Sequence, residues 1–470
     1  MLNVSLSPLS GSSVVALAGA LYWLGWCIYC IWFHPLAKYP GPRFAAISEI
    51  WFIWSWTTGR YPHILEEAHR KYGDIVRIAP NELSFATIQA HRDIYSTPSK
   101  TKKPFLKCGR FYNNGDVSNI FYELDPVEHG KMRKILASGF SGSAMKTHEH
   151  IIHQYVDIVT NHHAIGELTF GESFNAVATG QTHFWITILA DSAHAAILPS
   201  FVRKAPVLVL VVPFMLSLSA LRNLKKHYTY TLETVRRRLN RASSSSAERD
   251  LFTPVIEQGD GITETQLVSL AQAMVIAGAD TVTTAMTTAL YFLSTRPDCL
   301  AKLQAEVRAL TYEQLNGVEL PHLRYLNAII EESMRCFPPI AFGLPRVSPG
   351  EFVDGQFIPQ GVRVSAAHWV LNRNPSIWDE PYEFWPERWL SGDELSSQPV
   401  TFPFSSGPRS CLGIAQANLE MRITLAKLIH VFDIRAARDP VNMMWKKAPL
   451  MVHFQPRDQD DLGRTKEYLA

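Results

Sequence analysis

The chain is 470 residues long, 47% apolar and only +2 in formal charge, which is enough for one large domain, or two to three ordinary ones, with a sizeable core. A near-neutral balance gives no support to a nucleic-acid reading, which wants a concentrated basic face. The six cysteines, Cys27, Cys30, Cys108, Cys299, Cys336 and Cys411, are too sparse for a disulfide framework and imply a reducing compartment for the main body.

Val14 to Phe33 is a run of 20 residues without a charge, long enough to cross a bilayer as a helix. Trp23, Trp26, Tyr29 and Trp32 suit its interfacial end. A cleaved signal would have a shorter apolar region and a small-residue cleavage site. This run instead meets a proline-stiffened linker, His34 to Pro42, so residues 1–33 are expected to be a retained anchor and 34–470 one body. Residues 1–33 contain no Lys or Arg, whereas Lys38 and Arg43 follow, which places that body in the cytosol. Cys27-x-x-Cys30 has a redox spacing but lies inside the apolar run, and reads as lipid-facing or incidental.

Ile75 to Phe85 reads as two short strands around a Pro80-Asn81 turn. From about 127 to 440 the pattern is mostly helical, interrupted by a strand-like patch at 351–366. Pro206 to Leu221, with Pro206 and Pro213 inside it, is short for a span and reads as a membrane-dipping or core segment. Arg236 to Arg249, centred on Ser243 to Ser246, reads as a solvated loop. His148-Glu149-His150 with His153 lacks the spacing of a zinc helix and reads as a solvated helix face, and His162-His163 has no third ligand nearby. The expected fold is mainly α with small β-sheets.

One helix stands out. Thr263-x-x-Gln266 is a plausible capping box, and apolar and small residues continue to about Ser294, before Pro297. At 1.5 Å per residue it reaches roughly 46 Å, across a whole domain. Apolar nearly all round, it should be buried, yet Asp280 stands in its middle, in Ala277-Gly278-Ala279-Asp280-Thr281. An unpaired carboxylate there would be costly, so Asp280 is either paired or performs a task. Thr281 can bond back to the Ala277 carbonyl and, with Gly278, open the helix locally. A hydroxyl beside a carboxylate at such an opening can pass protons.

Phe404 to Gly413 reads FSSGPRSCLG. A core cysteine needs no such bend, because it packs as a small hydrophobe. A ligand or nucleophile does need one, since its thiolate must be exposed and electrostatically supported. Leu425, Leu428, Ile429 and Phe432 follow at helical spacing, so Cys411 precedes a helix N-terminus, whose partial positive charge lowers a thiol pKa. Gly407 permits a positive φ, Gly413 lets a flat ligand approach the backbone, and Arg409 offers a cation to an acidic ligand group. A single thiolate with no His or Cys partner in range is not a zinc site. It suits a metal whose other ligands are already supplied, as in a haem.

Phe404-x-x-Gly407-x-Arg409-x-Cys411-x-Gly413 resembles the haem-binding signature of the cytochrome P-450 family, the haem-thiolate monooxygenases. Glu332-Ser333-Met334-Arg335 is similar to the family's E-x-x-R helix, although an acid and a base at i, i+3 are also a common solvated pair worth a few tenths of a kcal/mol. Phe384-Trp385-Pro386-Glu387-Arg388-Trp389 resembles its F-x-P-E-R-F stretch, with Trp389 in place of the last Phe. Ala277 to Thr281 resembles its oxygen-binding groove, with Val282 where Thr or Ser is frequent.

The resemblance implies that Cys411 ligates the iron of haem b (iron protoporphyrin IX). It further implies that Asp280 and Thr281 guide protons to dioxygen beside Ala277 and Gly278. Glu332, Arg335 and Arg388 would join in a structural network behind the haem, with Phe404 and Gly413 beside it. The propionates would be met by Arg409, Arg346 and the pair His129 and Arg133, many members having Trp where His129 stands. It implies an apolar small-molecule substrate, electrons from NADPH through a membrane-bound NADPH-cytochrome reductase, and a single-pass endoplasmic reticulum protein with its catalytic domain, 34–470, in the cytosol. Substrate contacts are expected near Phe111 to Phe121, Ala195 to Leu221, Ala273 to Ala277 and Ile340 to Leu344. Ile165 to Glu172 and Tyr325 to Ile330 resemble fungal members that tailor secondary metabolites, terpenoids or polyketides, of the trichothecene/isotrichodermin hydroxylase type. Fungal relatives usually have a longer helical stretch between the counterparts of Tyr155 and Ile165, so two helices are truncated here, by a deletion or a faulty gene model. The alternatives are a haem-thiolate isomerase, dehydratase or peroxygenase, a non-catalytic haem-binding or gas-sensing protein, and a haem-free anchored helical protein.

Overall fold

In the computed structural model, which describes residues 11–113, 117, 119–157, 198–210, 218–241, 250–258, 262–390, 400–436 and 452–456, the apolar N-terminal run is α-helical over Gly11–Ile28 and ends in a π-helical turn, Tyr29–Phe33. Val15, Tyr22 and Trp32 along it are exposed, as an anchor's side chains are when no lipid surrounds them. The C-terminal end of this run behaves differently from a free tether. Cys30 is fully buried, not lipid-facing, and its carbonyl accepts from Arg77 Nη1 at 2.7 Å. Arg77 also donates to the Pro80 carbonyl, and Trp26 donates through its indole to Ile47 O at 2.9 Å. The linker is packed too. Leu36 is completely buried, and a Cβ at Gly41 would stand 2.3 Å from the Arg77 carbonyl oxygen, so only glycine fits that crossing.

The strands expected at Ile75 to Phe85 form an antiparallel pair, β1 (Ile75–Ala79) and β2 (Glu82–Phe85). With β3 (Leu106–Lys107), β4 (Arg346–Val347) and β7 (Arg363–Ala366) they make a five-stranded sheet in the order β1-β2-β7-β4-β3, in which β2 and β7 run parallel. The patch at 351–366 contributes β5 (Glu351–Val353), β6 (Gln356–Ile358) and β7, and β8 (Phe432–Ala436) pairs with β9 (Val452–Pro456). The rest of the described chain is mainly helical.

The long central helix spans Glu264–Thr295, 32 residues. Its capping box is as expected: Gln266 N–H donates to the Thr263 hydroxyl and the Thr263 N–H to the Gln266 side chain. Leu267 to Val275 pack in one hydrophobic core, with Leu136, Ile151, Val235 and Phe252. Val282 to Leu293 pack in another, with Leu303, Leu326, Met334 and Leu425. Between them Ile276 to Thr281 joins neither core.

Two expectations are corrected. Arg236 to Arg241 are not loop but the last turns of a helix, Leu218–Arg241, because their charges are satisfied outside its apolar face: Arg236 pairs with Glu264 and Arg238 with the buried Asp250. His148 is not on a solvated face but 3% exposed, on Gly142–Asp157, while His150 is exposed and His153 bonds Glu149. Among the described residues no three His, Cys, Asp or Glu gather as a metal site. His162, His163, Ile165 to Glu172, residues 195–197, 211–217 and 242–249, and Ala448 to Leu450 lie outside the described residues.

One buried acid makes stability depend on pH. Glu420, on the helix Ile414–Val431, is 5% exposed, and burial pushes its carboxyl up to about 8. An unfolded glutamate titrates near about 4.3, so the fold prefers the protonated acid and this contribution is lost as pH rises from there toward 8. Glu420→Gln should therefore remove a fall in the denaturation midpoint between acid and mildly alkaline pH. A parallel pH dependence in both proteins would refute this.

Candidate functional site

Cys411 lies in a loop closed by its own backbone. The Cys411 N–H donates to the Phe404 carbonyl at 2.8 Å, Ser410 N–H to Gly407 O at 3.0 Å and Ser405 N–H to Phe402 O at 2.9 Å. Gly407 has φ +69°, and a Cβ there would meet the Tyr95 carbonyl oxygen at 2.3 Å, so both conformation and space require glycine. Gly413 has φ −85° and is the N-cap of Ile414–Val431. A Cβ on it would make only ordinary contacts, with Phe140 and the Cys411 sulfur, so the protein's own packing does not demand glycine there.

The loop straddles the same two cores as the central helix. Phe404 packs against the core of Val282 to Leu293 and Leu412 against that of Leu267 to Val275. Arg409 ties it to the turn at 119–124, donating to Glu123 O at 2.7 Å and Leu124 O at 3.1 Å. Asn119 in that turn donates to Ser269 O and Oγ on the central helix. The cysteine is thus held by elements that also hold the ends of the uncovered stretch Ile276 to Thr281.

Cys411 is exposed by surface area, yet enough protein surrounds its sulfur for burial to push the thiol pKa up, against opposing help from the Gly413 N–H and Arg133. A thiol at the bottom of a concavity has both properties. The expected helix-end lowering is present but outweighed, because desolvation disfavours the anion more than one N–H and one nearby cation favour it. The chain alone keeps a neutral thiol, and a metal must supply the missing stabilisation of the thiolate.

On the central helix Ile276, Ala277 and Asp280 are exposed and Gly278, Ala279 and Thr281 half-buried. Exposure answers the question Asp280 raised, since its charge is not held in a dry core. The Thr281 hydroxyl donates to Ala277 O at 2.7 Å, as expected. Thr283, Thr284 and Thr288 make the same i−4 bond, and the helix continues without the local opening anticipated at Gly278.

The cationic residues converge on one edge. Arg346 is 3% exposed, donating to the Tyr112 hydroxyl at 3.3 Å. Burial and then Arg346 pull Arg409 down to about 10, and burial followed by Arg409, Lys107, Arg133 and Arg346 pulls the buried His129 down to about 3. Glu123 and Asp125 are the carboxylates that answer Arg409. Positive charge is left over, as a site for a dianion requires. Arg133 also reaches the cysteine loop, its guanidinium on the Ser410 carbonyl at 2.7 Å and hydroxyl at 3.2 Å. Sequence reasoning missed Lys107, which no local spacing marks, and named Tyr112 only within the expected substrate-contact stretch Phe111 to Phe121.

Behind the loop Glu332 and Arg335 are both fully buried. Arg335 forks onto Glu332 with two bonds of 2.8 Å and caps the carbonyls of Asn372, Pro381 and Glu383. Arg388 donates to Glu332 at 3.2 Å and to the Asp379 and Glu380 carbonyls. Trp389, the departure from the family's Phe, uses its indole N–H to donate to Glu332 Oε2 at 2.8 Å, a bond Phe cannot make.

A family model described as cytochrome P-450 matches residues 161–458. Cytochrome P-450 monooxygenase poxC of Penicillium oxalicum is 39% identical over 434 residues, covering 89% of this chain and 87% of that protein. This chain belongs to the cytochrome P-450 family. Two further P-450 relatives, BOA3 of Botryotinia fuckeliana and btcC of Neocamarosporium betae, are 36% identical over 94% of this chain and 34% over 92%, each covered to 95% of its own length. A P-450 is a haem-thiolate protein, and the donor set fits that cofactor: one accessible sulfur, an uncovered helix segment and surplus cations at one edge.

Proposed function

We propose that this chain is a membrane-anchored monooxygenase that hydroxylates or epoxidises an apolar small molecule with dioxygen. Residues 1–33 anchor it in the endoplasmic reticulum membrane, and residues 34–470 form the cytosolic catalytic domain. NADPH supplies electrons through NADPH-cytochrome reductase. The observation that carries the reading is the Cys411 loop, with its accessible thiol bracketed by the two cores that flank Ile276 to Thr281. The setting proposed is fungal secondary metabolism, on a terpenoid or polyketide, in keeping with relatives from Penicillium and Botryotinia. The alignment with BOA3 runs over 485 positions while covering 94% of a 470-residue chain. That relative therefore carries residues within the aligned span that this chain lacks, in keeping with a shortened stretch after Tyr155.

Cys411 would hold the haem through its thiolate, and the bound group would supply dioxygen activation. The chain's own residues do the rest. Gly413 leaves the backbone clear for a flat ring, while Arg409, Arg346 and His129 would hold its propionates. Arg133 holds the Ser410 carbonyl and so the cysteine's approach. Thr281, donating to Ala277 O, keeps its hydroxyl lone pairs for a proton donor, and Asp280 at the exposed face relays protons from solvent. Phe111 and Phe342, whose rings lie 6.1 Å apart, bring two of the expected substrate-contact stretches together as an apolar wall.

With reductase and NADPH, the native protein should consume dioxygen and place one labelled oxygen atom in the product. NADPH-independent turnover would favour an isomerase, dehydratase or peroxygenase. Asp280→Asn and Thr281→Val should each cut product formation by about 100-fold while NADPH oxidation continues. Unchanged product per NADPH in both would remove these residues from proton delivery.

A further inference from the structure

Arg203 and Lys204, side by side at the end of the helical residues 198–204, are drawn in two directions. Arg203 donates to the carbonyls of Arg110 and Phe111, at 3.0 and 3.1 Å. Lys204 turns into the protein, where its side chain is 1% exposed. Its ammonium lies 2.6 Å from a Glu82 oxygen on β2 and 3.3 Å from the centre of the Phe52 ring. Arg363, the register partner of Glu82 on β7, donates to the same oxygen at 2.8 Å and also to Glu49. The other Glu49 oxygen, buried and without a hydrogen bond among the described residues, stands 3.8 Å from the ammonium. Against burial, Lys204 and then Arg363 hold the Glu82 carboxyl well below the usual carboxylate range. Two cations and two carboxylates thus balance one another out of water.

Resting on the reading above that Phe111 and Phe342 line the substrate pocket, we propose that Lys204 is a positioning residue that sets the size of that pocket by fixing residues 198–204 against its wall. Phe201, in the same stretch, is 3% exposed and packs in a core with Phe52, Tyr61 and Val76, at whose margin Phe342 lies. Apolar burial is non-directional, so Phe201 alone would let the stretch slide over that surface. The four charges do not, because a displacement leaves one of them uncompensated away from water, and that costs more than the intact pairing contributes. The fixed place of the lysine carries through Arg203 to the backbone at 110–111 and through Phe201 to the core beside Phe342. Both parts of the apolar wall are therefore referred to one buried ammonium, itself held from β2 by Glu82 and from the N-cap of the helix Ile50–Thr57 by Glu49.

The test compares the native holoenzyme with Lys204→Met and with the double variant Lys204→Met/Glu49→Gln. The double variant restores charge balance, since Glu82 still answers Arg363 and a glutamine still accepts from it, so it frees the stretch without a lone buried charge. Affinities for compact phenylimidazole and bulky tritylimidazole are read from the Soret shift as each ligates the haem iron. In both variants the preference should move toward the bulky ligand by about tenfold, because the wall can recede. Amide hydrogen exchange, which needs no ligand, should quicken at 198–204 and 110–112 and stay native in the helix Arg324–Cys336. A loss of stability alone would weaken both ligands together and leave their ratio where it was. An unchanged ratio, a shift toward the compact ligand, native exchange at 198–204, or failure of both variants to fold each overturns the inference. Absence of a thiolate-ligated spectrum in the native protein defeats the haem-thiolate reading instead, and the exchange result then still decides whether Lys204 fixes its stretch.

Discussion

Cys411→Ala is expected to abolish the reduced, CO-bound absorption band at about 450 nm that marks a thiolate ligand, and with it all product formation. No other cysteine is placed to take over. Among the described residues the remaining cysteines, apart from the half-buried Cys27 of the anchor, are buried: Cys30, Cys108, Cys299 and Cys336. The loop itself should survive the change, since its closure rests on the Cys411 N–H to Phe404 bond and on Gly407, not on the sulfur. The variant should therefore keep the native far-ultraviolet circular dichroism. A band persisting in Cys411→Ala, or missing from folded, haem-supplied native protein, would defeat the assignment of the iron ligand.

Glu332→Ala should be among the most damaging substitutions away from the cysteine, destabilising the fold by about 3–5 kcal/mol. The same Glu/Arg pair on an exposed helix would be worth a few tenths of a kcal/mol, and burial decides between the two figures. The Glu332 carboxylate accepts from Arg335 twice, from Arg388, from the Trp385 N–H and from the Trp389 indole. Removing it leaves two guanidiniums without their counter-charge, that of Arg335 fully buried and that of Arg388 nearly so. Arg335 and Arg388 also hold the carbonyls of residues 372 and 379–383, so the segment leading to the cysteine loop should loosen with them. Chemical denaturation of the holoenzyme, with the yield of haem-loaded protein, measures both effects. A midpoint within about 1 kcal/mol of native stability would show that the pair is dispensable.

Several elements were legible without any structure because their determinants are local. Thr263 and Gln266 cap the central helix across three residues, Pro80-Asn81 turns β1 into β2, and Gly407 supplies a positive φ inside a ten-residue loop. Other features escaped or were misread because they join distant segments. Arg236 to Arg241 read as loop by composition, although Glu264 and Asp250 complete their charges from other elements. His148 read as solvated although it is buried, and Cys30 read as lipid-facing or incidental although Arg77, 47 residues later, reaches its carbonyl.

The order of residues by itself determined the anchor's length and lack of charge, the mainly helical body, the capped central helix and the single cysteine in a glycine-rich bend. Each is a property of dihedral preference, side-chain period or transfer energy over a short window. Tertiary structure alone decided which charges are buried and which are neighbours. It made Glu332 and Arg335 a dry network, set Asp280 at an exposed face, put Arg133 on Ser410, and brought Lys107 opposite Arg346 and near Arg409. Desolvation and Coulomb energy depend on distance in space, and segments such as Arg409 and Glu123, 286 positions apart in the chain, come within bonding range only when the whole domain has closed.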